Sequence, residues 1–212
     1  MFDDDSSVLK VSGILIGRIG RTIGPLRLAE SHPNDIDITS HGVSLGQLDV
    51  LNALESFNDT LATPEDRDCF WRTLCMDGNW LDMKPELPAP KEFEHQKSVL
   101  LGELPIPQDF LPGSPHALRF FNFSVPFARS LEKSMGNRTF FTTVGGRMGL
   151  GSYHACVGDV VTVLLGCPFC IVLRPFGQQY KLVGGAYVHG VMHGELVHGA
   201  AQNQDVRVFE LC

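Results

Sequence analysis

From Phe140 onward the apolar residues come in short runs separated by glycines. Phe140, Phe141, Thr142, Thr143 and Val144 are aromatic or β-branched and suit a pleated, half-buried surface. Gly145-Gly146 then reads as a hairpin turn, with residues 147–151 returning as a short strand. Residues 160–165 form a continuous apolar run of strand length, the pattern of a strand covered on both faces. Residues 169–174 follow and are stopped by Pro175, and residues 180–183 and 186–189 read as two further strands on either side of Gly184-Gly185. Thirteen of the 22 glycines lie between Gly136 and Gly199. That density fits tight turns between strands and not helices, because each interior glycine costs a helix about 1 kcal/mol relative to alanine. The links are too short for parallel crossovers, so the sheet is expected to be antiparallel and coiled into a barrel.

Near the start, residues 8–17 also alternate like a strand and are expected to join this sheet, with Gly13 marking a bulge. The middle of the chain changes period. Leu48, Leu51, Leu54 and Phe57 recur at helical spacing. Thr63-Pro64-Glu65-Asp66 is a helix start: a hydroxyl cap, a proline in the first turn and two acids at the positive end. This helix runs through Cys69, Phe70, Trp71 and Leu74 towards Asp77-Gly78. Seven of the 13 prolines fall between Pro85 and Pro115, so residues 82–115 read as a long loop or partly disordered insertion. A further stripe, Leu118, Phe121, Val125, Ala128, Leu131 and Met135, predicts a helix interrupted at Pro126 and stopped at Gly136. Residues 206–211 read as a final strand or a tail. The expected fold is α+β: one domain over residues 1–212, a small antiparallel barrel-like sheet with its core at 139–195, and two or three helices packed on one side.

Composition narrows the function. The net charge of −7 argues against a nucleic-acid surface. No run approaches the roughly 18 apolar residues that span a bilayer, and the start, Met1-Phe2-Asp3-Asp4-Asp5, is acidic where a secretory signal is basic. A cytoplasmic protein with no membrane and no nucleic-acid partner is expected, its six cysteines reduced.

Three constellations invite chemistry. Cys167-Pro168-Phe169-Cys170 has the Cys-x-x-Cys form, and His154 and Cys156 are near enough in sequence to complete a zinc set across a hairpin. Between two strands, however, the motif lacks the helix N-terminus that would activate a thiolate, and turn or core cysteines are the simpler reading. His189 and His193 would share a helix face, but Gly190 and Gly194 oppose a helix there, which leaves solvated loop histidines. The glycines of 145–151 resemble a phosphate loop only if a helix follows, and a strand is expected instead. Arg174 is the expected polar framework residue, forked onto Asp159 or Glu195. No serine elbow or paired-carboxylate motif occurs, so no enzyme activity and no cofactor are expected.

Six ordered pieces together resemble the C-terminal region of fungal heterokaryon-incompatibility proteins. They are Phe140-Phe141-x-Thr143, Gly146 through Gly151, Gly158-Asp159 through Gly166, Pro168-Phe169 through Leu173-Arg174-Pro175, Tyr180 through Gly184, and Ala186-Tyr187-Val188-His189-Gly190 through Glu195. The strand at residues 8–17 and the helix containing Phe70-Trp71-Arg72-Thr73-Leu74 have counterparts in the same region. Family members carry an N-terminal HET domain regarded as the death trigger, and its motifs are not found in this sequence. The resemblance therefore implies a non-catalytic regulatory or protein-interaction module in allorecognition. The rival is a metal-binding or redox protein built on Cys167 and Cys170. In the family that turn does not generally carry the cysteine pair.

Overall fold

The computed structural model describes residues 8–26, 57, 59–80, 87–100, 127, 130–131, 133–192, 194–198 and 206–212. The chain divides into two units, Met1–Pro25 with Asn137–Cys212, and Leu26–Gly136.

In the first unit, strand β1 (Leu9–Leu26) is long enough at 18 residues to serve three neighbours. The others are β2 (Arg138–Thr143), β3 (Met148–Ser152), β4 (Val160–Leu164), β5 (Cys170–Phe176), β6 (Gln179–Val188) and, last in the chain, β7 (Val206–Leu211). They form one seven-stranded sheet in the order β2-β3-β6-β5-β4-β1-β7. A further pairing of β2 with β1 closes the order into a ring, which removes most of the free edge. The β4, β5 and β6 neighbours are antiparallel, as the short glycine links require. β7 runs antiparallel to β1 and meets β6 in parallel at Tyr180 and Leu211.

The continuous apolar run of β4 is explained by burial on both faces. Val161 packs into a cluster with Ile19, Phe141, Val172 and Val188, while Val160 packs with Ile171, Leu173 and Phe209. The one polar side chain between them, Thr162, is fully buried and donates to the Ile171 carbonyl.

Three details differ from the expectation. Gly184-Gly185 does not separate two strands. β6 runs through both glycines, and the pair answers a register shift between Val172 and Leu173 of β5. Gly184 has φ 152°, and a Cβ on Gly185 would touch the Phe169 ring at 3.2 Å, so both are sites where glycine eases a bulge. Gly13 is not the bulge of β1; the register shifts between Leu15 and Gly17. Gly13 is there for closeness, since a Cβ would lie 2.7 Å from the Val163 carbonyl oxygen. Pro175 does not end β5, which continues to Phe176. β4 pairs β5 only as far as Leu173, so Pro175 sits where one edge needs no N–H.

In the second unit, α1 (Pro64–Leu74) starts as its sequence predicts. Thr63 Oγ1 accepts from the Asp66 N–H at 3.1 Å, and Asp66 accepts from the Thr63 N–H at 3.2 Å. This capping box satisfies two donors that the helix cannot. Thr63→Ala is expected to lower stability by about 1 kcal/mol, measured by urea denaturation, with Thr63→Ser near wild type. The helix ends where Met76 and Asp77 take positive φ, and Asp77 accepts from Arg72 at 2.8 Å. A second helix, α2 (Glu92–Leu100), lies within the stretch expected to be a loop. Its residues are good helix formers, but its buried positions, Phe93 and Gln96, give no long stripe. Gln96 is satisfied from far away, accepting from the Phe127 N–H at 3.0 Å. Phe127, Ser130, Leu131 and residues 133–135 are helical, in line with the stripe ending at Met135; Asn137, not Gly136, takes the positive φ that follows. The predicted helix at residues 45–58 lies outside the described residues except for the buried Phe57.

Candidate functional site

Two features of the ring unit stand out: a polar clamp and an apolar outer face. The clamp is formed at the turn into β4. Asp159 is nearly fully buried, its side chain 2% exposed, and its two oxygens accept from Arg174 Nε at 2.9 Å and Nη2 at 3.0 Å. The second oxygen also accepts from the Cys156 N–H at 3.0 Å. Arg174 Nη2 reaches on to the His154 carbonyl at 2.7 Å and the Cys156 Sγ at 2.9 Å. One guanidinium thus ties β5 to the β3–β4 connection, which a fork can do and a point charge cannot. The hydrogen bond and charge of Asp159 raise the Arg174 pKa further above its ordinary value. The third expected framework residue, Glu195, is exposed at the start of a short helix, α3 (Glu195–His198).

The four expected metal ligands are not gathered. Cys156 faces Arg174, and the His154 ring stacks on Tyr153 with centroids 3.6 Å apart. Cys167 packs with the Val160–Phe209 cluster, and Cys170 belongs to the Val161–Val172 cluster. Cys167 lies in the β4–β5 turn and Cys170 opens β5, and the two thiols go to different clusters, which Cys-x-x-Cys spacing alone does not show. Among the described residues no three His, Cys, Asp or Glu side chains are placed to hold a metal. His189 accepts or donates at Nδ1 with the Tyr187 hydroxyl at 3.1 Å, and His193 lies outside the described residues. Gly145 and Gly146 make the β2–β3 turn, while Gly149 and Gly151 lie in β3, and no helix follows.

Cys170 is 1% exposed and lies 3.7 Å from the Met192 sulfur. Burial, then the nearby Cys167 and Glu195, push its thiol up to about 12. It is therefore a core group and not a nucleophile at neutral pH. The sign for stability follows from a folded pKa above the ordinary 9.0. The contribution is complete below about pH 9 and is lost as pH rises towards 12, because the unfolded chain ionises first. Unfolding free energies measured from pH 8 to 11 are expected to fall above pH 9, by at most about 1.4 kcal/mol per pH unit for this group. Cys170→Ala is expected to flatten that slope.

The outer face was not read from the sequence. Ile14 of β1 lies directly opposite Val163 of β4 on one side and Val206 of β7 on the other. Paired residues project to the same face, so these three make one apolar row, half-buried at Val163, which packs against the Val161–Val172 cluster, and open to solvent at Val206. In the next row Ser12 lies opposite Val208, and the Leu165 N–H donates to the Ser12 carbonyl. Val206, Val208 and Leu165 are 54%, 61% and 56% exposed. The row beyond is charged, with Lys10 and Glu210 paired at 2.8 Å. The signal in the sequence is that β7 carries apolar residues at both phases of its alternation: Phe209 is buried in the ring, while Val206 and Val208 face outward.

The described residues form an α+β protein: a ring-like seven-stranded sheet with a buried carboxylate–guanidinium clamp and an apolar outer patch, and the three helices α1, α2 and α3. Residues 115–208 match the family model of the Het-6 beta-barrel domain, and the chain carries that domain. The resemblance to the C-terminal region of heterokaryon-incompatibility proteins is thereby shown. No curated protein and no solved structure matches the chain. None of the described helices is long and apolar enough to cross a membrane.

Proposed function

We propose that this protein is a non-catalytic protein-interaction module of fungal allorecognition, acting in the cytoplasm on a protein partner. The observation that carries this reading is the outer face of β4, β1 and β7. There Val206, Val208 and Leu165 are exposed beside the half-buried Ile14, Val163 joins the row to the cluster beneath, and Lys10 and Glu210 form a charged border. Apolar centre and polar rim are the anatomy of a protein interface. Exposed valines at two successive outward positions of one strand are costly on a surface that meets only water. The Het-6 beta-barrel match supports the allorecognition setting.

A photo-crosslinking amino acid at Val208, in the full chain expressed in a fungal host, tests this directly. A discrete protein adduct is expected, and it should disappear when Val206→Asp and Ile14→Asp are added. No adduct, or one insensitive to both changes, removes the reading. Melting temperatures of the variants within a few degrees of wild type show that the loss is not unfolding.

A further inference from the structure

The ring also presents a second, separate surface, where β1 passes through Arg18, Ile19 and Gly20. The β2–β3 turn lies on one edge of this segment, since the Val144 N–H donates to the Arg18 carbonyl at 2.8 Å. The Val144 side chain lies across Gly20, where a Cβ would be 3.4 Å from Val144 Cγ2. The β3–β4 turn lies on the other edge, with the Gly158 N–H donating to the Ile19 carbonyl at 2.9 Å. Each turn offers a valine to solvent: Val144 is 77% exposed and Val157 is 60% exposed. Turn apices usually take Gly, Asn, Asp or Ser, so two outward valines need a reason.

Both apices are held in shape. The Gly146 N–H donates to the Thr143 carbonyl, and the Arg147 N–H donates to Thr143 Oγ1 at 3.0 Å. The Asp159 N–H donates to the Cys156 carbonyl at 3.2 Å, and Arg18 Nη1 reaches the Gly158 carbonyl at 2.9 Å. Arg18 and Arg147 are exposed here, and residues 17–24 and 144–158 contain no Asp or Glu. The overall charge of −7 misleads at this point. Met1–Pro25 with Asn137–Cys212 holds eight Lys and Arg against seven Asp and Glu, whereas Leu26–Gly136 holds nine against seventeen.

Rigid, protruding valines flanked by arginines suit a partner that is negative at its surface and apolar just beneath. A bilayer interface has that order and needs no shape complementarity. We infer that this end of the ring docks peripherally on an anionic lipid bilayer, with Val144 and Val157 entering the headgroup boundary and Arg18 and Arg147 against the lipid charges. This is peripheral binding, and it uses a different part of β1 from the proposed protein face.

The test is co-sedimentation of the full chain with vesicles of phosphatidylcholine alone or mixed with phosphatidylserine. Binding is expected only to the mixed vesicles and is expected to weaken as salt is raised. Arg147→Gln should lower the partition about five-fold, and Val144→Asp with Val157→Asp should abolish it. Val144→Trp should bind at least as well and add a blue-shifted emission with mixed vesicles, which keeps the test open even if the aspartates perturb folding. No binding to mixed vesicles overturns the inference. So does binding unaffected by the aspartates with no shift from Val144→Trp. Equal binding to a soluble polyanion such as heparin, again insensitive to the valines, marks a purely electrostatic surface and also overturns it.

Discussion

Gly149→Ala is expected to destabilise the protein by about 3 kcal/mol, at the upper end for overpacking a core. Gly149 of β3 lies directly opposite Phe141 of β2, and the far end of the Phe141 ring occupies the place where a side chain would stand. A Cβ would sit 2.6 Å from Phe141 Cε2 and 2.9 Å from Cε1, with Cζ closer still. Phe141 is fully buried in the cluster with Ile19, Val161, Val172 and Val188, so it has nowhere to swing. The overlap must therefore be relieved by displacing a strand. Phe141→Leu shortens the ring's reach and is expected to cost stability by itself, since it leaves a void. Combined with Gly149→Ala it should recover part of the loss, giving a favourable coupling of about 1–2 kcal/mol in a double-mutant cycle by urea denaturation. Additive effects, or a neutral Gly149→Ala, would show that the ring is not fixed across this glycine.

Arg174→Ala follows as the second large effect, about 2–3 kcal/mol. Removing one partner of a fully buried pair typically costs about 3–5 kcal/mol, because the other charge is left stranded. Asp159 is buried that deeply, but the Arg174 side chain is 42% exposed, so water partly screens the carboxylate and lowers the figure. Arg174→Lys is expected to restore less than half. An ammonium can face Asp159 or the His154 carbonyl but cannot hold both oxygens of the carboxylate and reach the loop at once. Thermal melts and denaturant curves of the two variants read this directly. If Arg174→Ala were as stable as wild type, Asp159 would have to be held by its bond from the Cys156 N–H and by solvent alone.

What could be seen in advance was set by local chemistry. The capping residues at Thr63 and Asp66 specify the start of α1 because the hydroxyl and carboxylate meet backbone donors three residues away. The apolar run of 160–165 identifies a strand covered on both faces, and the glycine at 146 has φ 82°, as its hairpin turn requires. Asp159 and Arg174 were legible as framework residues because a turn acid and a strand-end arginine fifteen residues apart can face each other across a β4–β5 hairpin. Helix α2 was not, because its Gln96 is satisfied by Phe127, 31 residues away.

The sequence by itself determined the antiparallel pairing of the successive β2–β3 and β4–β5 strands, the positions of the turns joining them and the first turn of α1, since each depends on residues within one short stretch. Only the tertiary structure decided that β1 would pair with β2 and close the ring, and that β6 would run unbroken through two glycines. It alone sent Cys167 and Cys170 to separate clusters and set Val206 beside Ile14 on an open face. Those outcomes depend on which distant strand comes alongside, and on its register. A one-residue slip turns every side chain of a strand to the opposite face, and nothing in the local pattern records which neighbour will set it.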